Sequence, residues 1–226
     1  MGRDDSPKRR HRKLLERKQE QRTSNDRILI VTEGSKTEPN YFKEIRTEYR
    51  LSNVVVVPST QGTAPLQVVQ CAQNLFEKGD LSRGIRPRDF ERAFAVFDRD
   101  EHCGYSNALR QAKLLNSEYQ QREDGTEDGT EVFQAITSVP CFELWLLLHY
   151  EDVHAPLSCG EVMDRLRKHF PDYDKSMRNV FRTTCKQLED AIRRAETLNA
   201  RPRADNDSEP FTAVVDLVKM LTTQRG

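Results

Sequence analysis

Four strand candidates alternate with segments of helical periodicity, and this alternation constrains the fold more than any other feature of the sequence. Residues 28–31, 54–57 and 93–97 are short continuous apolar runs, and residues 131–137 are a fourth candidate. Continuous apolar runs bounded by turn residues are typical of strands buried on both faces, as in parallel sheets. The alternation therefore predicts an α/β fold with a mostly parallel, Rossmann-like sheet flanked by helices.

The pattern changes after residue 150, where only helical segments follow. Three such segments are predicted, at about 158–169, 176–199 and 212–223. A run of helices without intervening strands cannot extend a parallel sheet, but it can cover one of its faces. We therefore predict an α/β domain at residues 27–150 and a helical C-terminal region at 151–226 that packs on it as a cap.

The N-terminal 26 residues are predicted to form a basic arm outside the core. Ten Lys/Arg residues and five Asp/Glu residues fall within the first 27 positions, and apolar side chains are sparse. Such an arm can follow the phosphates of a nucleic acid, each cation adding a salt-dependent contribution to binding. It can equally be a solvated tail, and the sequence leaves both interpretations open.

The overall composition excludes several classes of protein. Its 36 basic and 36 acidic residues balance, so no net charge draws the chain to nucleic acid or membrane, and any attraction must be local. The five cysteines are widely separated, which favours neither a zinc site nor a disulfide framework. We find no apolar run of membrane-spanning length and no signal-peptide pattern, so a soluble cytoplasmic protein is expected.

Three acidic residues follow the ends of two predicted strands. Glu33 comes shortly after the first apolar run and directly before Gly34, while Asp98 and Asp100 follow the third run. Ligands of open parallel sheets collect at the carboxyl ends of the strands. Residues two apart at a strand end point the same way, so both aspartates can reach one hard cation. Acids are also common at strand ends, where they can simply be solvated.

A Mg²⁺ (or Mn²⁺) site at Glu33, Asp98 and Asp100 would support phosphodiester chemistry. Mg²⁺ prefers a few carboxylates and retains waters that phosphate oxygens can replace. In this interpretation the aspartates hold the metal, and Glu33 is a general acid/base or a second-metal ligand. Nucleotidyl transfer would use the same acids, but the chain lacks a Gly-rich phosphate loop of the P-loop type.

The order of these acids resembles the TOPRIM domain of topoisomerases, primases and OLD-type nucleases. In that arrangement Glu-Gly directly follows one strand and Asp-x-Asp follows another, as at Glu33-Gly34 and Asp98-Arg99-Asp100. The resemblance implies a TOPRIM-like sheet and a nucleic-acid substrate, either DNA or RNA.

A longer series of motifs resembles the RloB-like family. The matching segments are 28–34 with Thr37-Glu38 and Tyr41-Phe42, then 96–100, then 140–149, and finally Tyr173 and Lys175. One departure is the pair Ser138-Val139 before Pro140, where Asn is expected before the proline. The resemblance covers most of residues 27–222.

Membership of that family implies a role in bacterial anti-phage defence, including abortive infection, often with a partner ATPase of the AAA or ABC type. We therefore predict a metal-dependent nuclease. The alternative is a non-catalytic adaptor that senses nucleic acid or regulates the ATPase. Self-association into a homo-oligomer is neither favoured nor excluded by the sequence.

Further candidate residues lie near the predicted site or in the family motifs. Glu143 is an acid within an apolar helix, so it either faces the site or lies in solvent near the helix N-terminus. His149 is assigned to the core or surface rather than to a ligand set. The candidate substrate-binding residues are Ser35, Lys36, Tyr173 and Lys175, although each is also an ordinary loop or surface residue.

Overall fold

The computed structural model describes residues 26–99, 104–122, 131–201 and 210–223. Asp100 and all but the last residue of the predicted basic arm lie outside these ranges. The elements in chain order are β1 (Ile28–Thr32), α1 (Thr37–Glu48), β2 (Val54–Pro58), α2 (Pro65–Lys78), β3 (Arg92–Asp98), α3 (Tyr105–Arg122), β4 (Phe133–Val139), α4 (Glu143–Leu147), α5 (Cys159–His169), α6 (Val180–Thr184), α7 (Leu188–Asn199), β5 (Phe211–Thr212) and α8 (Val214–Thr223). Short 3-10 helices lie at Leu81–Arg83 and Cys185–Gln187.

The five strands form one sheet in the order β2-β1-β3-β4-β5. The first four are parallel, and β5 is antiparallel to β4. β1 pairs with both β2 and β3, and every one of its residues is buried. This confirms the predicted α/β fold with a mostly parallel sheet flanked by helices.

Alternate residues of the strands divide the core into two layers. The helix-rich face of the sheet packs against α1 and α4 through α8, and it receives side chains such as Ile28 and Ile30. The two-helix face packs against α2 and α3, and it receives Leu29 and Val31. Both faces are covered, which explains why the parallel strands are continuously apolar.

The C-terminal half differs from the sequence prediction in two of its three predicted helices. The helix expected at 212–223 begins only at Val214, because Phe211 and Thr212 pair with β4 as a short strand. The helix expected at 176–199 is divided into α6, a 3-10 turn and α7. Its N-terminal part does not form because Asn179 adopts a left-handed conformation (φ 63°), and the backbone N–H groups of Asn179 and Phe181 donate to Glu44.

The apolar segment that carries Glu143 is helical only at residues 143–147, and tight turns follow. Thr37 is the first helical residue of α1, and its hydroxyl donates to the carbonyl of Lys175 at 2.9 Å. In the described part of the chain, no helix has both the length and the apolar character needed to cross a membrane.

Candidate acidic site

β1 and β3 end side by side, and their ends bring two of the predicted acids together. The backbone N–H of Glu33 donates to the carbonyl of Val96 at 2.8 Å, which extends the β1–β3 pairing by one residue. The Glu33 carboxylate then accepts the backbone N–H of Asp98 at 2.9 Å. Glu33 and Asp98 therefore lie next to each other at the carboxyl edge of the sheet.

Asp98 lies at the centre of a cluster of negative charge. The residue is half-buried, and its carboxyl group is enclosed by protein atoms. Burial raises the pKa of this carboxyl well above its ordinary value, and the nearby charges of Glu38, Glu143 and Glu33 raise it further. A hydrogen bond from the backbone N–H of Phe142 acts in the opposite direction.

Glu38 belongs to this cluster, although the sequence alone explains it as a helix-start acid. Its side chain is buried, and it accepts the backbone N–H of Gly34 at 3.3 Å. A Cβ at Gly34 would lie 2.2 Å from Glu38 Oε2, so the glycine is required for this close approach. Burial raises the pKa of Glu38, and the charge of Glu143 adds to the increase. No pattern in the sequence separates this buried acid from an ordinary acid at a helix N-terminus.

Glu143 is buried at the start of α4 and is held by the segment that follows α5. The hydroxyl of Tyr173 donates to Glu143 Oε1 at 3.2 Å, and Lys175 Nζ lies 3.7 Å from the same oxygen. Glu143 therefore faces the acidic cluster and two of the predicted substrate-binding residues, and the solvated alternative is wrong because the side chain is only 2% exposed.

Lys175 links this cluster to solvent. Its side chain is 64% exposed even though the ammonium contacts Glu143. Partial burial lowers the pKa of Lys175, but the negative charges around it, above all Glu143, outweigh this effect and raise the pKa overall. Burial raises the pKa of Tyr173, so its hydroxyl keeps the proton that it donates. The site thus combines enclosed carboxylates with one accessible ammonium.

The remaining predicted residues contribute less directly. Ser35 and Lys36 are exposed in the loop between β1 and α1. Lys36 lies near Asp174, whose pKa is lowered mainly by hydrogen bonds from Ser176 and to a lesser degree by that ammonium. Neither loop residue contacts the acidic cluster by a hydrogen bond or ion pair within the described ranges.

His149 is a buried core histidine. Its Nδ1–H donates to the carbonyl of Trp145 at 3.0 Å, and its ring packs edge-on against the indole. Burial lowers its pKa to about 4, so the ring is neutral at physiological pH. Its Nε2 is buried and finds no hydrogen-bond partner among the described residues.

Two of the cysteines that are distant in sequence meet beside the acids. The thiols of Cys141 and Cys159 hydrogen-bond, and this contact together with burial raises the pKa of Cys141. Both are free thiols.

The chemistry of the cluster suits a hard cation. Four carboxylates (Glu33, Glu38, Asp98 and Glu143) converge, and Mg²⁺ prefers such oxygen ligands. Burial raises the pKa values of Asp98 and Glu38, and the neighbouring carboxylates raise them further, so a bound cation would favour the charged forms of both side chains. Among the described residues, however, no three His, Cys, Asp or Glu side chains are grouped so that they could hold a metal ion, and Asp100 lies outside the described ranges.

Comparison with known proteins identifies one family. The family described as RloB-like protein matches residues 28–221, a range that contains every element of the sheet and all four carboxylates. A search of curated proteins and a search of solved structures return no match.

Proposed function

The chain belongs to the RloB-like family, and from this premise we propose that it is a metal-dependent nuclease that cleaves phosphodiester bonds of DNA or RNA. The observation that supports the proposal most strongly is the convergence of Glu33, Glu38, Asp98 and Glu143 at the carboxyl edge of a parallel sheet. That edge is where ligands of such sheets bind. The proposal includes a TOPRIM-like relationship and a role in anti-phage defence with a partner ATPase.

Asp98 and Glu33, with Asp100, are the residues that would hold Mg²⁺ or Mn²⁺. The cation would polarise the phosphate and lower the pKa of a bound water. Asp98 is already oriented by the Phe142 N–H, and Glu33 by the Asp98 N–H, so neither has to be ordered when substrate binds.

The other residues of the site would bind the phosphate and hold a proton. The exposed ammonium of Lys175 can pair with a phosphate oxygen at the mouth of the site. Tyr173 orients Glu143 and thereby keeps Lys175 in place. Burial raises the pKa of Glu38, which is the direction that a general acid requires.

Asp98→Asn tests this function. Purified wild-type protein, Asp98→Asn and the control Asp164→Asn, an exposed acid of α5, are incubated with plasmid DNA, single-stranded DNA and tRNA, with and without Mg²⁺ or Mn²⁺. We expect metal-dependent cleavage by the wild type and the control, and at least about a hundredfold slower cleavage by Asp98→Asn, since a metal contributes several kcal/mol.

Melting curves of the same proteins provide a second readout. Asp98→Asn relieves repulsion within the cluster, so the metal-free variant should melt at or above the wild-type temperature. Mg²⁺ should no longer raise its melting temperature, because a ligand stabilises only a state that binds it. A less stable metal-free variant that still responds to Mg²⁺ would contradict the metal assignment. A wild type that responds to Mg²⁺ but cleaves none of the substrates would instead support the adaptor alternative.

A further inference from the structure

A shallow groove lies between α1 and the segment 173–182, on the helix-rich face of the molecule. Its volume is about 240 Å³. One wall consists of Asn40, Lys43 and Thr47, which are spaced three and four residues apart and so share one face of α1. The other wall consists of Arg178, Asn179 and Arg182.

Both walls of this groove begin at the acidic site. α1 carries Glu38 in its first turn, and the groove residues follow on the opposite side of the same helix. The segment 173–182 carries Tyr173 and Lys175, which contact Glu143. The hydroxyl of Thr37 joins the two walls at this end by its bond to the Lys175 carbonyl. One stretch of chain, 173–182, therefore both contacts the acidic site and forms a wall of the groove.

The groove is held open in a defined shape by an internal acid. Glu44 accepts the backbone N–H groups of Asn179 at 2.5 Å and Phe181 at 2.8 Å, and it thereby fixes the second wall against α1. This carboxylate is half-buried, whereas the cations of both walls are exposed.

The cations of the groove are available to a ligand. Within the described residues, the side chains of Lys43 and Arg178 form no ion pair. Arg182 lies 3.6 Å from Glu48, but both side chains are more than half exposed, and such surface pairs contribute little. Lys36 and Lys175 add positive charge where the groove meets the acids.

We propose that this groove binds the phosphodiester backbone of the nucleic acid on which the acidic site acts, an inference that rests on the proposed function. A cluster of carboxylates repels a polyanion, so the affinity must come from cations beside it. Lys and Arg side chains supply that affinity, and Asn and Thr side chains are common donors to phosphate. From Lys36 to Lys43 the helix advances about 10 Å, which matches the axial rise of about three nucleotides in one duplex strand.

Binding measured without divalent metal separates this surface from catalysis. Fluorescence anisotropy of labelled single-stranded DNA, single-stranded RNA and duplex DNA is recorded in EDTA over a range of salt concentrations. The variants are Lys43→Ala, Arg178→Ala, their combination and the conservative Arg178→Lys. The matched control is Lys113→Ala, an exposed lysine of α3 on the opposite face of the sheet.

Each single alanine variant should bind about five- to eightfold more weakly at about 0.1 M salt, with a salt slope smaller by about one. The double variant should lose about 25- to 60-fold if the contacts are independent. Arg178→Lys should retain most of the affinity, because the charge remains. The nucleic acid that shows these losses identifies the substrate class.

Equal affinity and equal salt slope for the groove variants and Lys113→Ala would overturn the proposal. Inorganic phosphate that competes as well as an unlabelled oligonucleotide, at equal phosphate concentration, would also overturn it by indicating an isolated anion site. Failure of the nuclease proposal would look different. Nucleic-acid binding that depends on the groove, without metal-dependent cleavage, would support the proposed binding surface and contradict only the nuclease activity.

Discussion

The two faces of the sheet differ in the kinds of side chain that they bury. The two-helix face is covered by α2 and α3, and its core consists of aliphatic and aromatic side chains with one neutral polar contact, from the Tyr105 hydroxyl to Thr137 Oγ1 at 3.1 Å. The helix-rich face also buries polar and charged groups, including Glu38, Glu143 and His149. It holds them among interlocked rings, with Tyr41 edge-on to Phe42, Phe142 and Phe181 at centroid distances of 5.8, 5.5 and 5.5 Å. Charge is thus buried only where several elements fix its surroundings.

The largest expected effect compares one phenylalanine from each face. Phe142→Ala and Phe133→Ala each remove a fully buried ring, so each should lower the free energy of unfolding by about 3–5 kcal/mol, measured by urea denaturation. Only Phe142→Ala should also weaken Mg²⁺ binding, by about 10- to 100-fold, because the buried ring holds in place the backbone N–H that orients Asp98 and the neighbouring Glu143. Equal Mg²⁺ affinity in both variants would show that the helix-rich face does not support the metal site more than the two-helix face does.

The strand positions could be predicted because burial on both faces leaves a simple signal. All four parallel strands were predicted within about two residues of their ends, a usual margin for apolar runs. Glu33 and Asp98 could also be placed together, since strand ends in a parallel sheet share an edge. These features depend on local sequence and on one general rule of topology.

The parts that could not be predicted depend on contacts between distant residues. The partners of Glu143 lie 30 or more positions away, and no periodicity marks Tyr173 or Lys175 as its neighbours. Glu38 occupies a position where a helix dipole already favours an acid, so its burial was invisible. β5 is two residues long, too short for any repeating pattern.

A second prediction uses the buried histidine of the helix-rich face. Folded His149 stays neutral down to a pKa of about 4, whereas the unfolded chain takes up a proton below its ordinary value of 6.5. Acid therefore favours unfolding, and lowering the pH from 6.5 to 4 should cost about 3 kcal/mol through this residue. Urea denaturation as a function of pH should show this loss in the wild type and not in His149→Leu.

The control for this prediction is His169→Gln, which changes a partly exposed histidine beside Glu151. This variant should keep the acid-dependent loss because it leaves the buried ring in place. An identical pH dependence of the free energy of unfolding in the wild type and His149→Leu would show that the buried ring does not cause the loss of stability in acid.

The smallest expected effect concerns the close approach of Gly34 and Glu38. Gly34→Ala places a methyl group against the Glu38 carboxylate, and the resulting displacement should cost about 1–3 kcal/mol. Thermal melting should also show a smaller cost of the same change in a Glu38→Ala background, where the clash is absent. Gly160→Ala in α5, whose nearest neighbour is Ser158 Oγ at 3.9 Å, should be neutral or stabilising. Additive losses in the double variant would mean that the two residues do not interact.

The antiparallel strand β5 has a consequence for synthesis of the protein on the ribosome. The carboxyl end of the outer edge of β4, at Ser138 and Val139, is paired only when Thr212 reaches Ser138, 74 residues later in the chain. At usual translation speeds of about 5–20 residues per second, that edge stays uncovered for roughly 4–15 s. An unpaired strand edge is a template for association with other chains. The nascent polypeptide is therefore most vulnerable to aggregation during this interval, when the sheet is otherwise complete.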